Sequence, residues 1–233
     1  MLKICIFLSI LCSTVMCQDW GSRACMVNPL GYYTQVMQET VTELENEVRW
    51  SNFKMDDITT PVDIELYNWH VVGTVNFTNG FLVSIENIDI SNFLANFATS
   101  TVNGERNTIA TFRGNFNLNQ VKVGFDVDID FEGHELTRAT GVFVYKLVSW
   151  TYFLTHNLHT NETTVVISGS STGGASRHME FLPASNMTEV ASRVYFAYSS
   201  GNSFPRWGRE IQDVVLRKAH EIDFPEIRFD NNC

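Results

Sequence analysis

Apolar positions recur along the chain with two different periods, and the switches between them mark a helical start, a long β region and a helical end. From Asn28 the period is helical. Tyr33, Met37, Val41, Leu44 and Val48 recur at steps of three and four, which places them on one face of an amphipathic helix. Asn28 suits the cap and Pro29 the first helical position, while Glu39, Glu43, Glu45, Glu47 and Arg49 occupy the rest of the surface. Residues 51–61 read as the exit loop.

The period then drops to two. Trp69, Val71, Gly73, Val75 and Phe77 share one parity, and Asn68, His70, Thr74 and Asn76 the other, the pattern of a half-buried strand. Asn79-Gly80 is a turn signal. Phe81, Val83 and Ile85 keep one parity while Ile88 and Ile90 take the other, which predicts a bulge near Glu86. Residues 92–108 are less regular. Ala110, Phe112, Phe116 and Leu118 then alternate with polar residues, and after Asn119-Gln120 the alternation restarts as Val121, Val123, Phe125, Val127, Ile129 and Phe131. This predicts an antiparallel hairpin with one dry face. Lys122, Asp126, Asp128 and Asp130 hold the opposite face, so only the dry side needs a helix or a ligand to cover it.

Residues 141–154 and 163–167 supply further strands, and 168–176 form a Gly/Ser connection. Helical spacing returns with Val190, Val194 and Ala197, and again with Trp207, Ile211, Val214, Val215, Lys218 and Ile222 after the initiating Pro205. The expected class is α+β: an N-terminal helix, about six antiparallel strands and one or two C-terminal helices. No repeat or linker divides the chain, so residues 18–233 form one domain.

Composition supports a single folded domain. Of 233 residues, 44% are hydrophobic and 18% charged, enough to bury a core. The net charge of −10 disfavours nucleic acid and anionic membranes, whose binding rests on clustered Lys and Arg. Residues 1–17 have the layout of a secretory signal: Lys3, an apolar run from Ile4 to Leu11, then small or moderate residues before Gln18. That run is too short to span a bilayer, and no later stretch is long enough, so the expectation is a secreted, extracellular protein without stable membrane insertion. Cleavage takes Lys3 with it and leaves a charge of −11 on 216 residues.

Cleavage also removes Cys5, Cys12 and Cys17. Cys25 and Cys233 remain, and in an oxidising compartment they are expected to join the two ends in a disulfide; two free or intermolecular thiols are the alternative. Asn76, Asn161 and Asn186 each begin an N-x-S/T sequon, and Asn76 falls on the polar parity of its strand, as a glycan requires.

Three motifs raise chemistry and lose it in context. Gly169-Ser170-Ser171-Thr172-Gly173 matches a nucleophile elbow, with Asp213 and His220 in the right order after Ser171. An elbow needs a following helix and a parallel sheet, and neither is expected here. Asp126, Asp128 and Asp130 resemble the opening of a calcium loop, but Phe131 and Thr137 stand where its glycine and bidentate Glu belong, so a solvated strand face is the better reading. His156 and His159 lack the further ligands that zinc needs and read as surface or loop residues. No phosphate-binding or dinucleotide fingerprint occurs, so no cofactor and no metal are expected.

Taken together, the element order and the stretches from Thr74 to Phe81 and from Val121 to Val127 resemble the group 7 mite allergens and their insect relatives. These belong to the tubular lipid-binding (TULIP) superfamily, with the juvenile-hormone-binding, takeout-like and bactericidal permeability-increasing proteins. The resemblance covers about Asn28 to Ile222. It implies a strongly curved antiparallel sheet wrapped around helices, with an apolar tunnel or groove for a lipid or terpenoid. The positions expected to line it are Phe112, Phe116, Val121, Phe125, Val127 and Ile129 from the sheet, and Leu44, Val48, Trp207, Ile211 and Val215 from the helices. Three departures are plain, the first a C-terminal helix that reads as shorter and interrupted near Gly201, which implies a shallow or absent tunnel. Hormone carriers of this kind have a close N-terminal cysteine pair, where the mature chain has Cys25 alone; and its negative charge disfavours anionic lipopolysaccharide.

The expected function is therefore a secreted, non-enzymatic, glycosylated binder of a hydrophobic small molecule or lipid. The rival is a secreted β-rich protein with a filled core that meets another macromolecule through loops such as 92–108, and a serine hydrolase is a remote third.

Overall fold

The computed structural model describes residues 29–46, 53–66, 68–102, 104–175, 178–195 and 203–226. The order is α1 (Pro29–Asn46), β1 (Ile58–Leu66), β2 (Trp69–Ser84), β3 (Asn87–Val102), β4 (Glu105–Phe131), β5 (Thr137–Asn157), β6 (Glu162–Ala175), β7 (Glu180–Leu182), α2 (Asn186–Val194) and α3 (Ser203–Glu221). This is an α+β fold with one seven-stranded sheet, antiparallel throughout.

Two long strands form the spine of the sheet, β4 and β5, paired from Ile109↔Asn157 to Ile129↔Thr137. On the free side of β4, β2 and β3 stand end to end: β2 pairs with its second half and β3 with its first. On the free side of β5, β7 and β6 do the same, and β1 extends the sheet beyond β2. The sheet therefore has two halves along one pair of strands, and it is open, ending at β1 and β3 on one side and β6 and β7 on the other.

One face is dry along the whole spine. On β4 the buried side chains are Ala110, Phe112, Phe116 and Leu118, then Val121 to Phe131 at odd positions. The parity changes at Gln120, where the backbone takes a left-handed turn (φ 52°). On β5 it changes between Tyr145 and Val148, and the pairs Leu118↔Val148 and Val121↔Tyr145 stay in register across the shift. Both strands slip phase at one level, so the dry face continues on the same side.

Asn119-Gln120 is thus a phase shift inside one 27-residue strand and not the turn of a hairpin. Asn79-Gly80 is likewise no turn. Asn79 has φ 53° and the β2–β4 register shifts by one residue there, the mark of a bulge. The turn that closes β3 onto β4 lies between Val102 and Glu105, with Gly104 at φ 83°. Residues 92–108, expected to be irregular, belong to β3 and β4 apart from this turn. The Gly/Ser stretch also proves to be strand, because β5 supplies hydrogen-bonding partners as far as Ala175 and the left-handed Gly169 absorbs a register shift. Part of the expected exit loop is the edge strand β1, a position in a sheet that tolerates a proline such as Pro61.

The helices lie on the dry face. α1 packs on β3 and on α3; α3 packs mainly on β6 and also on β5; α2 reaches β1 and β4. α1 buries Tyr33, Met37 and Leu44, with Tyr32, Val36 and Thr40 beside them, and Val41 is half-buried. α2 is held at its start by a capping box, Ser185 accepting from the Thr188 amide while the Thr188 hydroxyl accepts from the Ser185 amide. Burial in α3 covers Trp207, Ile211, Val214 and Val215. No helix among the described residues is long and apolar enough to cross a membrane.

Candidate functional site

The interior between sheet and helices is lined by two groups of aromatic rings. In the half built on β2 and the second part of β4, Tyr195, just past α2, packs against Phe77, Phe125 and Phe143 with centroids 5.0, 5.6 and 4.6 Å away. Its hydroxyl meets that of Tyr145 at 2.9 Å. The start of α3 continues this group: Phe204 sits edge-on to Tyr145, and Trp207 stacks on Phe53 at 4.8 Å. Polar atoms here are spent on fastening α3. Trp150 Nε1 donates to the Phe204 carbonyl at 2.9 Å, Tyr152 to the Gly208 carbonyl at 2.7 Å, and Trp207 Nε1 to the Lys54 carbonyl at 3.0 Å.

In the other half, Tyr32 and Tyr33 of α1 lie over Phe112 of β4, with Phe93 and Phe97 of β3 beside them. Phe224, beyond α3, closes this end, its ring 4.9 Å from Tyr32, 6.0 Å from Phe112 and stacked on His156 at 3.9 Å. Tyr32 donates to the Ala219 carbonyl at 2.8 Å. Burial pushes the Tyr32 phenol up to about 12 and raises those of Tyr33 and Tyr152 as well, so all three are neutral at physiological pH.

Ten of the eleven predicted lining residues come together here. Leu44, Phe112, Phe116, Val121, Phe125, Val127, Ile129, Trp207, Ile211 and Val215 are all at most 1% exposed and belong to one continuous core; Val48 lies outside the described residues. Phe77, Tyr145, Trp150, Tyr152 and Tyr195 belong to the same buried core and are absent from the sequence-based set. Tyr145 and Trp150 straddle the phase shift of β5, so their shared face is hidden from any single-parity reading; aromatic residues on both parities of 141–154 were the available signal.

The remaining sequence signals separate. Ser171 is exposed within β6, opposite Ser149, and the strand runs on past it, so the motif forms no strand-to-helix elbow. Asp126, Asp128 and Asp130 face outward on β4; Asn79 donates to Asp126 at 2.9 Å and Arg138 lies 3.5 Å from Asp128. Among the described residues no three His, Cys, Asp or Glu side chains converge. His156 is not a surface or loop residue: it sits in β5, buried at 4% exposure, bonded through Nδ1 to the Thr163 hydroxyl at 2.8 Å. Burial, and secondarily His220, lower its pKa. His159 is exposed and pairs with Glu105 at 3.4 Å.

Asn161 and Asn186 are exposed, in the β5–β6 turn and at the start of α2. Asn76 faces outward from β2 but is half-buried, its side-chain oxygen accepting from Thr59. Cys25, Cys233 and residues 1–17 lie outside the described residues.

Fold and interior together define an α+β protein whose open antiparallel sheet carries one apolar face under helices. No protein-family model and no curated protein matches the chain.

Proposed function

We propose that this protein is a secreted, non-enzymatic carrier that binds a hydrophobic small molecule or lipid reversibly between the sheet and its helices. The observation that carries this reading is a mismatch of length. The dry face runs from Ala110 to Phe131 of β4, about 70 Å of contour at ~3.3 Å per residue. The helices that cover it have 18, 9 and 19 residues, so the longest is about 28 Å. We infer that the sheet curls around these helices, as in the tubular lipid-binding proteins that the sequence resembles. Curved sheets over short helices leave apolar surface for an apolar occupant.

Direct ring-to-ring contact among the lining residues favours a second reading, a filled interior without ligand, in a protein that meets a macromolecular partner through its surface. Native mass spectrometry of the full secreted chain separates the two. Co-purifying lipid that a nonpolar competitor displaces fits the carrier; a clean protein mass together with no uptake of an apolar fluorophore rejects it.

A further inference from the structure

One polar atom in the interior is unexplained by the packing. The Tyr33 hydroxyl is fully buried and has no hydrogen-bond partner. Its ring is held firmly, stacked on Phe112 at 5.7 Å and edge-on to Phe93 at 5.4 Å. The hydroxyl comes to rest over Gly114: a Cβ there would lie 3.0 Å from the oxygen and 2.9 Å from both a Tyr33 ring carbon and a Phe93 ring carbon, so only glycine admits the phenol. Tyr152, opposite Gly114 on β5, already donates to Gly208.

The wall at Phe93 is a local departure from the ladder. Ser91 pairs with Asn115 and Leu94 with Arg113, so Asn92 and Phe93 together face Gly114, with Asn92 at φ 57°. This bulge turns Phe93 inward onto Tyr33, and Phe93 remains half-buried on a strand that pairs with β4 alone. An orphan donor, a glycine floor that makes room for it and a bulged aromatic wall at the sheet margin are three separate features meeting at one oxygen.

We propose that the Tyr33 hydroxyl is the polar anchor of the interior, donating to a neutral carbonyl oxygen, an ester or ketone, on an otherwise hydrocarbon ligand. The proposal rests on the carrier reading and narrows its ligand class. Water is a poor occupant, because it needs two to four polar partners, the Tyr33 ring packs against Phe93 and Phe112, and the proton of the neighbouring Tyr152 is already given to the Gly208 carbonyl. A carboxylate fits no better, since neither these rings nor Gly114 offers a cation to an ionised group taken out of water.

The test uses the full secreted chain and its Tyr33→Phe variant, with displacement of an apolar fluorophore by methyl palmitate and by nonadecane, which has the same number of heavy atoms. Wild type should prefer the ester by about 5–10-fold, the factor expected for one buried hydrogen bond. Tyr33→Phe should lose the ester preference, with nonadecane affinity unchanged. Because Phe removes only an unpartnered hydroxyl, the ligand-free variant should melt no lower than wild type.

An ester preference that survives in Tyr33→Phe, or no preference in wild type while both ligands displace the probe, overturns the anchor and leaves the carrier reading standing. A melting temperature several degrees lower in ligand-free Tyr33→Phe also overturns it, since the hydroxyl then has a partner within the protein. Displacement by neither ligand removes the carrier reading and the anchor with it.

Discussion

At the scale of single residues, close approach decides more than propensity does. Gly208 lies in the middle of α3, where alanine is ordinarily better by about 1 kcal/mol. A Cβ there would stand 2.3 Å from Ile167 Cδ1 and 2.7 Å from the Trp150 indole, which is itself fixed by its bond to the Phe204 carbonyl. The clash outweighs the propensity, so Gly208→Ala should lower stability by about 1–3 kcal/mol in urea unfolding. A gain would show that α3 is free to lift off the sheet. His156 makes a second prediction. Its folded-state pKa is lowered by burial, so the fold favours the neutral ring and its contribution is present above pH 6.5 and lost as pH falls below that value. Exposed His70 runs the other way: its bond to Asp63 raises it, and its contribution is lost as pH rises through the raised value. Between pH 7.5 and 5.5 the melting temperature of His156→Phe should therefore change more favourably than that of wild type, the difference between the two curves being the His156 contribution.

At the scale of elements, charge joins what the sheet does not. Glu43 of α1 accepts from Arg217 and lies 3.3 Å from Lys218, which also reaches Glu221 at 2.7 Å, all three partners on α3. The Glu43 side chain is only 8% exposed, and the hydrogen bond from Arg217, then that from Lys218, holds its carboxyl below the usual range. Its contribution is present above about pH 4.5 and lost as pH falls through the lowered value; Lys218, raised chiefly by Glu221, loses its share only in strong alkali. Glu43→Gln should lower stability at pH 7 by about 1 kcal/mol and make the acid limb below pH 4.5 shallower. An unchanged acid limb would show that the two helices are held by apolar packing alone. The helices were legible because their apolar spacing matches their burial, as with Met37, Leu44, Ile211 and Val215. The strand boundaries were not. Asn79-Gly80 and the turn before Glu105 both offer a glycine, yet only the second reverses the chain: Val102 pairs directly with Glu105, whereas the residues flanking Asn79-Gly80 pair with Asp126 and Gly124, more than forty positions on. The lining residues of β4 could be read from alternation, whereas those of β5 were concealed by the paired phase shift, which neither strand reveals alone.

At the scale of the molecule, the far end of the interior depends on a segment outside any helix. Phe224 fills the space between Tyr32, Phe112 and His156. Phe224→Ala should cost about 1–3 kcal/mol, less than a fully enclosed ring because Phe224 is half-buried. In the carrier reading it should also speed release of a bound apolar fluorophore in stopped-flow chase; an unchanged rate would place the exchange route elsewhere. The tandem arrangement of the strands has a consequence for biosynthesis. Each of the large pairings, β3 with β4, β4 with β5 and β5 with β6, joins strands adjacent in the chain, so a ribosome delivers a complete meander once Ala175 has emerged. The helix that packs mainly on β6 ends 46 residues later, at Glu221. At roughly 5–20 residues per second the nascent sheet therefore waits several seconds with the part of its greasy side that α2 and α3 cover still bare, the interval in which a chaperone is most needed.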